Sequence, residues 1–206
     1  LLEESRLVKT LLPTMNRQLR RNSDVCVFKW QSGQRKAPQV ASASDIDFTD
    51  TDNVYGAFRT KRAALDTLRK LAHAFELCHI ECGLEKGAGP CFAHQLKRCH
   101  GVCAGKESRA QHDLRLMEAL AELKLQTWPF KGRVGVRETG AEGAELHVLD
   151  HWCYLGTVRS AQDLDTLTAR PTFDLDTYKI LKRFLKTRHA SVEIVPIAEQ
   201  SLEAAT

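Results

Sequence analysis

Cys78, Cys91, Cys99 and Cys103 follow one another as C-x12-C-x7-C-x3-C, in a stretch broken by Gly83, Gly87, Gly89 and Pro90. If these thiols meet, everything between residues 78 and 103 must fold back on itself, which leaves that segment little other freedom. Cys99 and Cys103 are four apart, so a helix over Ala93 to Cys103 would put both on one face. The glycine-rich loop can return Cys78 and Cys91 towards them. Four soft thiolates suit a tetrahedral zinc ion or a four-cysteine iron–sulfur cluster, and the spacing matches neither a zinc ribbon nor a ferredoxin run. Buried free thiols are the simpler alternative, since cysteine is a common core residue. The chain has seven cysteines, an odd number that argues against a disulfide framework. Cys82 could replace Cys78, whereas Cys26 and Cys153 lie in strand-like runs and read as core.

The rest of the chain reads as an ordinary globular protein of 206 residues, 43% hydrophobic and 27% charged. No apolar run approaches the roughly 18 residues of a membrane span, and the start does not resemble a signal peptide, so a cytoplasmic location is expected. Leu1 to Leu12 has a helical spacing stopped by Pro13. The chain lacks an initiator Met and opens inside this pattern, and is read as a fragment. A basic stretch, Arg17 to Arg21, precedes a strand at Val25 to Trp30. Residues 31–54 read as a polar loop, with a short strand at Ile46 to Phe48. Amphipathic helices are expected over 62–77 and 107–126. From Lys131 short β-like runs alternate with glycine turns, followed by helices at 161–169 and 176–186, a strand at 192–197 and a frayed tail. Boundaries are accordingly placed at 30, 54, 130 and 197. The fold class is α+β, with a cysteine-rich helical module at 55–130 and a small β-rich domain at 131–197. The net charge of +4 is compatible with a polyanionic partner, and Lys97, Arg98 and Lys106 beside the cysteines can serve as a phosphate-backbone clamp.

Several segments together resemble the UvrC family of nucleotide-excision-repair endonucleases, and most closely its short, single-nuclease Cho type. Leu2-Glu3-Glu4 through Leu7-Val8-Lys9 to Pro13-Thr14-Met15-Asn16 is similar to the end of a GIY-YIG nuclease domain. Arg17 to Asn22 resembles the Cho continuation, Tyr55-Gly56-Ala57-Phe58 the block after the nuclease, and Cys91 to Cys103 the family's cysteine run. Gly105 to Ser108 and Trp128-Pro129-Phe130 fit as well. The resemblance implies metal-dependent phosphodiester cleavage, with Glu4 holding a Mg²⁺ or Mn²⁺ ion and Asn16 beside the site. It makes Lys9, Arg17, Arg20, Arg21, Lys97, Arg98 and Lys106 candidate contacts to damaged double-stranded DNA. It also favours a 4Fe–4S cluster over zinc at the four cysteines. The GIY and YIG strands, the tyrosine base and the arginine of the family would lie upstream, so the fragment alone is expected to be inactive. The implied parent enzyme makes one incision, on the 3′ side of a lesion, after a UvrB-like damage-recognition protein delivers it.

The competing reading is a non-catalytic, metal-stabilised DNA- or protein-docking module, with an upstream exonuclease fusion left open. Other motifs carry less. Gly101 to Glu107 lacks the Ser/Thr of a phosphate loop. His147 and His151 read as strand residues, not a helical zinc pair. Asp163-x-Asp165 and Asp174-x-Asp176 read as helix caps, and His94 or His100 could replace one cysteine as a ligand.

Overall fold

The computed structural model of the chain describes residues 1–11, 25–34, 37–140, 143–160, 163–164, 167, 172–187 and 192–197. The chain divides into two compact units, one made of residues 1–23 with 127–206 and the other of 24–126. The first is therefore discontinuous in sequence. The division differs from the sequence-based boundaries because residues taken as the end of one domain and as a loop pair into a single sheet.

In the 24–126 unit that sheet is antiparallel, ordered β2 (Gln39–Ser42), β1 (Cys26–Lys29), β3 (Val54–Phe58). Ile46 and Phe48, expected to form a strand, lie in irregular chain after a 3-10 turn at Ala43–Asp45. Both are buried, so their alternation reports burial and not pairing. Helix α2 (Lys61–Ala74) starts where the Thr60 hydroxyl accepts from the Ala63 amide. Its end is held by Arg115, which donates to the carbonyls of Phe75 (3.0 Å) and Glu76 (3.1 Å). Helix α4 (Arg109–Ala121) opens with a capping box between Ser108 and Gln111. Phe28, Trp30, Tyr55, Leu68, Leu77, Leu116 and Leu120 form the core between sheet and helices. The module is thus a sheet with helices packed on it, and not helical alone.

Between α2 and α4, the expected helix over 93–103 is only α3 (Phe92–Gln95), followed by turns and a 3-10 segment at Val102–Ala104. The helix ends where Leu96 caps it and Lys97 turns left-handed (φ 57°), and Gly101 (φ 88°) makes a second left-handed turn before the 3-10 segment, where a Cβ would lie 2.7 Å from the His94 ring.

The other unit holds a four-stranded antiparallel sheet, ordered β6 (Cys153–Val158), β5 (Gly143–Asp150), β4 (Val134–Gly140), β7 (Glu193–Pro196). The β5–β6 turn places His151 (φ 45°) and Trp152 (φ 68°) in the left-handed region, the geometry of a tight two-residue hairpin. Neither is glycine, so the turn carries strain. Burial of Trp152 edge-on between Trp128 (5.3 Å) and Tyr178 (5.0 Å) offsets it. Helix α5 (Leu175–Thr187) begins at Asp174, whose carboxylate accepts from the Thr177 amide at 2.8 Å. Helix α1 (Leu2–Leu11), at the other end of the chain, contacts both α5 and β6. The helix expected over 161–169 falls mostly outside the described residues.

Candidate metal centre and nuclease helix

The four sulfurs of Cys78, Cys91, Cys99 and Cys103 all lie within 4.8 Å of one another. The start of the hairpin formed by residues 78–103 is fixed from α4. His112 is buried there, and its Nε2 accepts from the Cys78 amide at 3.1 Å, while Arg109 forms an ion pair with Glu81. Backbone amides aim at sulfur throughout the site: Cys91 N–H at Cys103 Sγ (3.3 Å), His94 N–H at Cys91 Sγ (3.4 Å), and Gly101 N–H at Cys99 Sγ (3.3 Å). Such donors stabilise a thiolate more than a thiol.

The titration of these groups reflects two opposing influences. Burial raises the Cys78 thiol, with Cys103 adding to the effect, and pushes Cys99 up to about 11. Cys91 is also penalised by burial, but the His79 and His94 amides with Cys103 and Cys78 outweigh it and lower the thiol. With the Cys78 and Cys99 protons made hard to remove and Cys91 made ready to give its proton up, a bound cation is what would let the cluster ionise as a set.

The donor set fits a thiolate metal. A single tetrahedral zinc with bonds of about 2.3 Å places its sulfurs about 3.8 Å apart. A 4Fe–4S cubane binds each cysteine through a different iron and needs sulfurs on the order of 6 Å apart. The observed spacing lies nearer the first. Cys82, the alternative fourth ligand, is buried in the hydrophobic core, with its thiol pushed up to about 12 by burial, and is not one of the converging four. His94 and His100 turn to other partners, the carbonyl of Cys99 (3.0 Å) and the carboxylate of Glu76 (2.7 Å). Lys97, Arg98 and Lys106 are exposed beside the knot, and none has an ion pair among the described residues.

On α1 the neighbouring carboxylates have different fates. Arg6 grips Glu3 through Nε (3.0 Å), and the Tyr154 hydroxyl donates to its Oε2 (2.7 Å). The Arg6 hydrogen bond chiefly holds the Glu3 carboxyl below its ordinary value. Glu4 is exposed and makes no hydrogen bond or ion pair among the described residues, so it alone of the two is available to an added ligand. Ser5 and Val8 form the buried side of the helix. Tyr154 is tied in turn to Thr157 (2.6 Å), and His147 reaches Thr157 (3.1 Å) and Glu138 (2.9 Å). His151 pairs with Asp150, so His147 and His151 are not one site. Sequence reasoning missed Tyr154, and only the alternation of polar residues along β5 and β6 hinted at a polar sheet face there. Asn16, Arg17, Arg20, Arg21 and the Lys9 side chain lie outside the described residues.

Residues 25–122 match the family model of the UvrC/Cho excinuclease middle domain, and residues 133–201 match that of the excinuclease Cho C-terminal domain. The excinuclease Cho of Escherichia coli K12 is 38% identical over 204 residues, covering 97% of this chain and 68% of the relative. The chain belongs to the UvrC/Cho excinuclease family. The Cho protein of Salmonella typhimurium LT2 is 37% identical over 205 residues, covering 98% of this chain and 69% of the relative. The UvrABC system protein C of Hyphomonas neptunium is 28% identical over 171 residues, covering 80% of this chain and 28% of that protein. The family's middle-domain match holds the four converging cysteines, and its Cho C-terminal match holds Tyr154. No solved structure matches the chain. No described helix is long and apolar enough to cross a membrane.

Proposed function

We propose that the chain is part of a Cho-type excinuclease that makes a single, 3′-side incision in damaged double-stranded DNA during nucleotide excision repair. The observation that carries this reading is the 38% identity to excinuclease Cho over 97% of the chain. α1 is the end of a GIY-YIG nuclease domain, and Glu4 is its metal carboxylate. A Mg²⁺ or Mn²⁺ ion held there would polarise the scissile phosphate. Support comes from α1 itself, where Glu3 is consumed by Arg6 and Tyr154 while Glu4 stands free in solvent. The family resemblance assigns Asn16 to the same site. By the same resemblance Lys9, Arg17, Arg20 and Arg21, and on the knot Lys97, Arg98 and Lys106, contact the DNA backbone. The four cysteines bind one tetrahedral ion that stiffens the basic hairpin, a preference over a cubane that rests on the sulfur spacing. A UvrB-like protein delivers the enzyme, and residues 1–206 by themselves do not cut.

In the full-length gene product, Glu4→Gln is expected to lower the nicking rate of lesion-bearing duplex at least about 100-fold, with DNA affinity changed less than about twofold. Nicking that survives the substitution would sink the nuclease assignment of α1 and favour the docking-module alternative. Metal analysis of protein purified without oxygen decides the knot. One zinc per chain is expected, and iron with acid-labile sulfide would overturn the single-ion reading.

A further inference from the structure

Helix α5 turns Leu175, Tyr178 and Leu181 inward. Its outer side carries Lys179, Lys182, Arg183 and Lys186, three of them exposed and Lys182 half-buried. At 100° per residue these four cations share an arc of about 100°. Four arginines of the same unit are neutralised: Arg6 by Glu3, Arg133 by Asp150, Arg137 by Glu193 and Arg159 by Glu145. The four on α5 have no ion pair among the described residues, and Lys182 Nζ lies 5.9 Å above the Tyr178 ring.

That arrangement is unfavourable for an isolated helix. Like charges at i,i+3 and i,i+4 cost about 0.2–0.5 kcal/mol per pair. The helix dipole compensates a cation in the last turn, as at Lys186, but its effect fades beyond that turn and leaves Lys179 and Lys182 unexplained. A regular polyanion laid along the helix removes the repulsion from all four together. α5 also packs against α1, the helix that carries Glu4.

We propose that the outer face of α5 is a phosphate-binding surface for the backbone of double-stranded DNA flanking the incision site. The proposal rests on the nuclease reading above. The face offers ammonium and guanidinium groups with no donor–acceptor side chain placed for base edges, so its contribution is independent of sequence.

The test is binding of a fluorescein-labelled undamaged duplex to the full-length protein, followed by anisotropy from about 50 to 200 mM salt. The variant K179Q/K182Q/R183Q/K186Q is expected to flatten the log–log salt slope by about 2–4 and to weaken binding at least about tenfold. K179Q/R183Q should give roughly half that slope change. R137Q, which removes a single charge from an ion-paired position, should stay within about twofold of the parent. Circular dichroism melting shows whether each variant is folded, and the double variant carries the test if the quadruple one is not. Unchanged binding in the folded variants overturns the α5 assignment and leaves the nuclease reading standing. Absence of duplex binding by the parent protein defeats both. Tighter binding of the parent to phosphatidylserine vesicles than to duplex, lost in the variants, would assign the face to a membrane and overturn the proposal.

Discussion

At the residue scale, His112 shows how a single buried side chain ties the metal hairpin to the rest of its unit. Its Nε2 accepts from the Cys78 amide, so the proton sits on Nδ1, which has no hydrogen-bond partner. Burial holds this imidazole below its ordinary value of 6.5. The unfolded chain therefore binds the proton more readily than the folded one. The resulting stability is complete above about pH 7 and is lost as pH falls through 6.5 towards the depressed folded value. Urea unfolding at pH 7.5 and 5.5 should show a loss from this group of at most about 1.4 kcal/mol. His112→Gln keeps an acceptor for the Cys78 amide but cannot protonate, so its pH dependence should be flatter by that amount. Equal slopes in parent and variant would remove His112 from the account. Nothing in the sequence marked His112, since one histidine in an amphipathic helix looks the same whether it points in or out.

Among the elements, those defined by local rules were legible and those defined by distant partners were not. The 62–77 and 107–126 expectations became α2 at Lys61–Ala74 and α4 at Arg109–Ala121, with ends trimmed by Thr60, Ser108 and the left-handed Glu76 (φ 49°). The C-terminal strands appeared where alternation and glycine turns put them. The cysteines were recognisable as a set, but the helix expected to align Cys99 and Cys103 stops after Gln95, where Lys97 is left-handed, and Gly101 turns the chain again before Cys103. The docking of α1 was invisible, since Glu3 and Tyr154 are 151 positions apart and no periodicity links them. Tyr154→Phe removes the hydroxyl and its bond to Glu3, worth about 1 kcal/mol. Amide exchange in α1 should then quicken roughly fivefold, with the β4–β5 amides unchanged. Equal protection of α1 in both proteins would mean that the hydroxyl does not hold the helix.

At the scale of the whole molecule, residues 24–126 form a compact unit that in sequence interrupts the other. The 24–126 unit contains the thiol cluster, while α1 with Glu4 belongs to the other unit. The two proposed metals thus serve separate bodies: a hard ion for cleavage, and a soft one for folding the hairpin between α2 and α4. The 24–126 unit has a hydrophobic core separate from the four clustered cysteines. Loss of its metal should therefore loosen the hairpin without unfolding everything. Stripping the ion with a thiol-competing chelator, or Cys99→Ser, is expected to lower that unit's melting by roughly 10–20 °C. Hydrogen-exchange mass spectrometry should then lose protection over residues 78–105 and at the start of α4, where His112 and Arg109 reach the hairpin. Peptides from β4, β5 and β6 should keep theirs. Loss spread evenly over both units would contradict a local structural role for the thiol site, and unchanged exchange at 78–105 would show that the four cysteines fold without a metal.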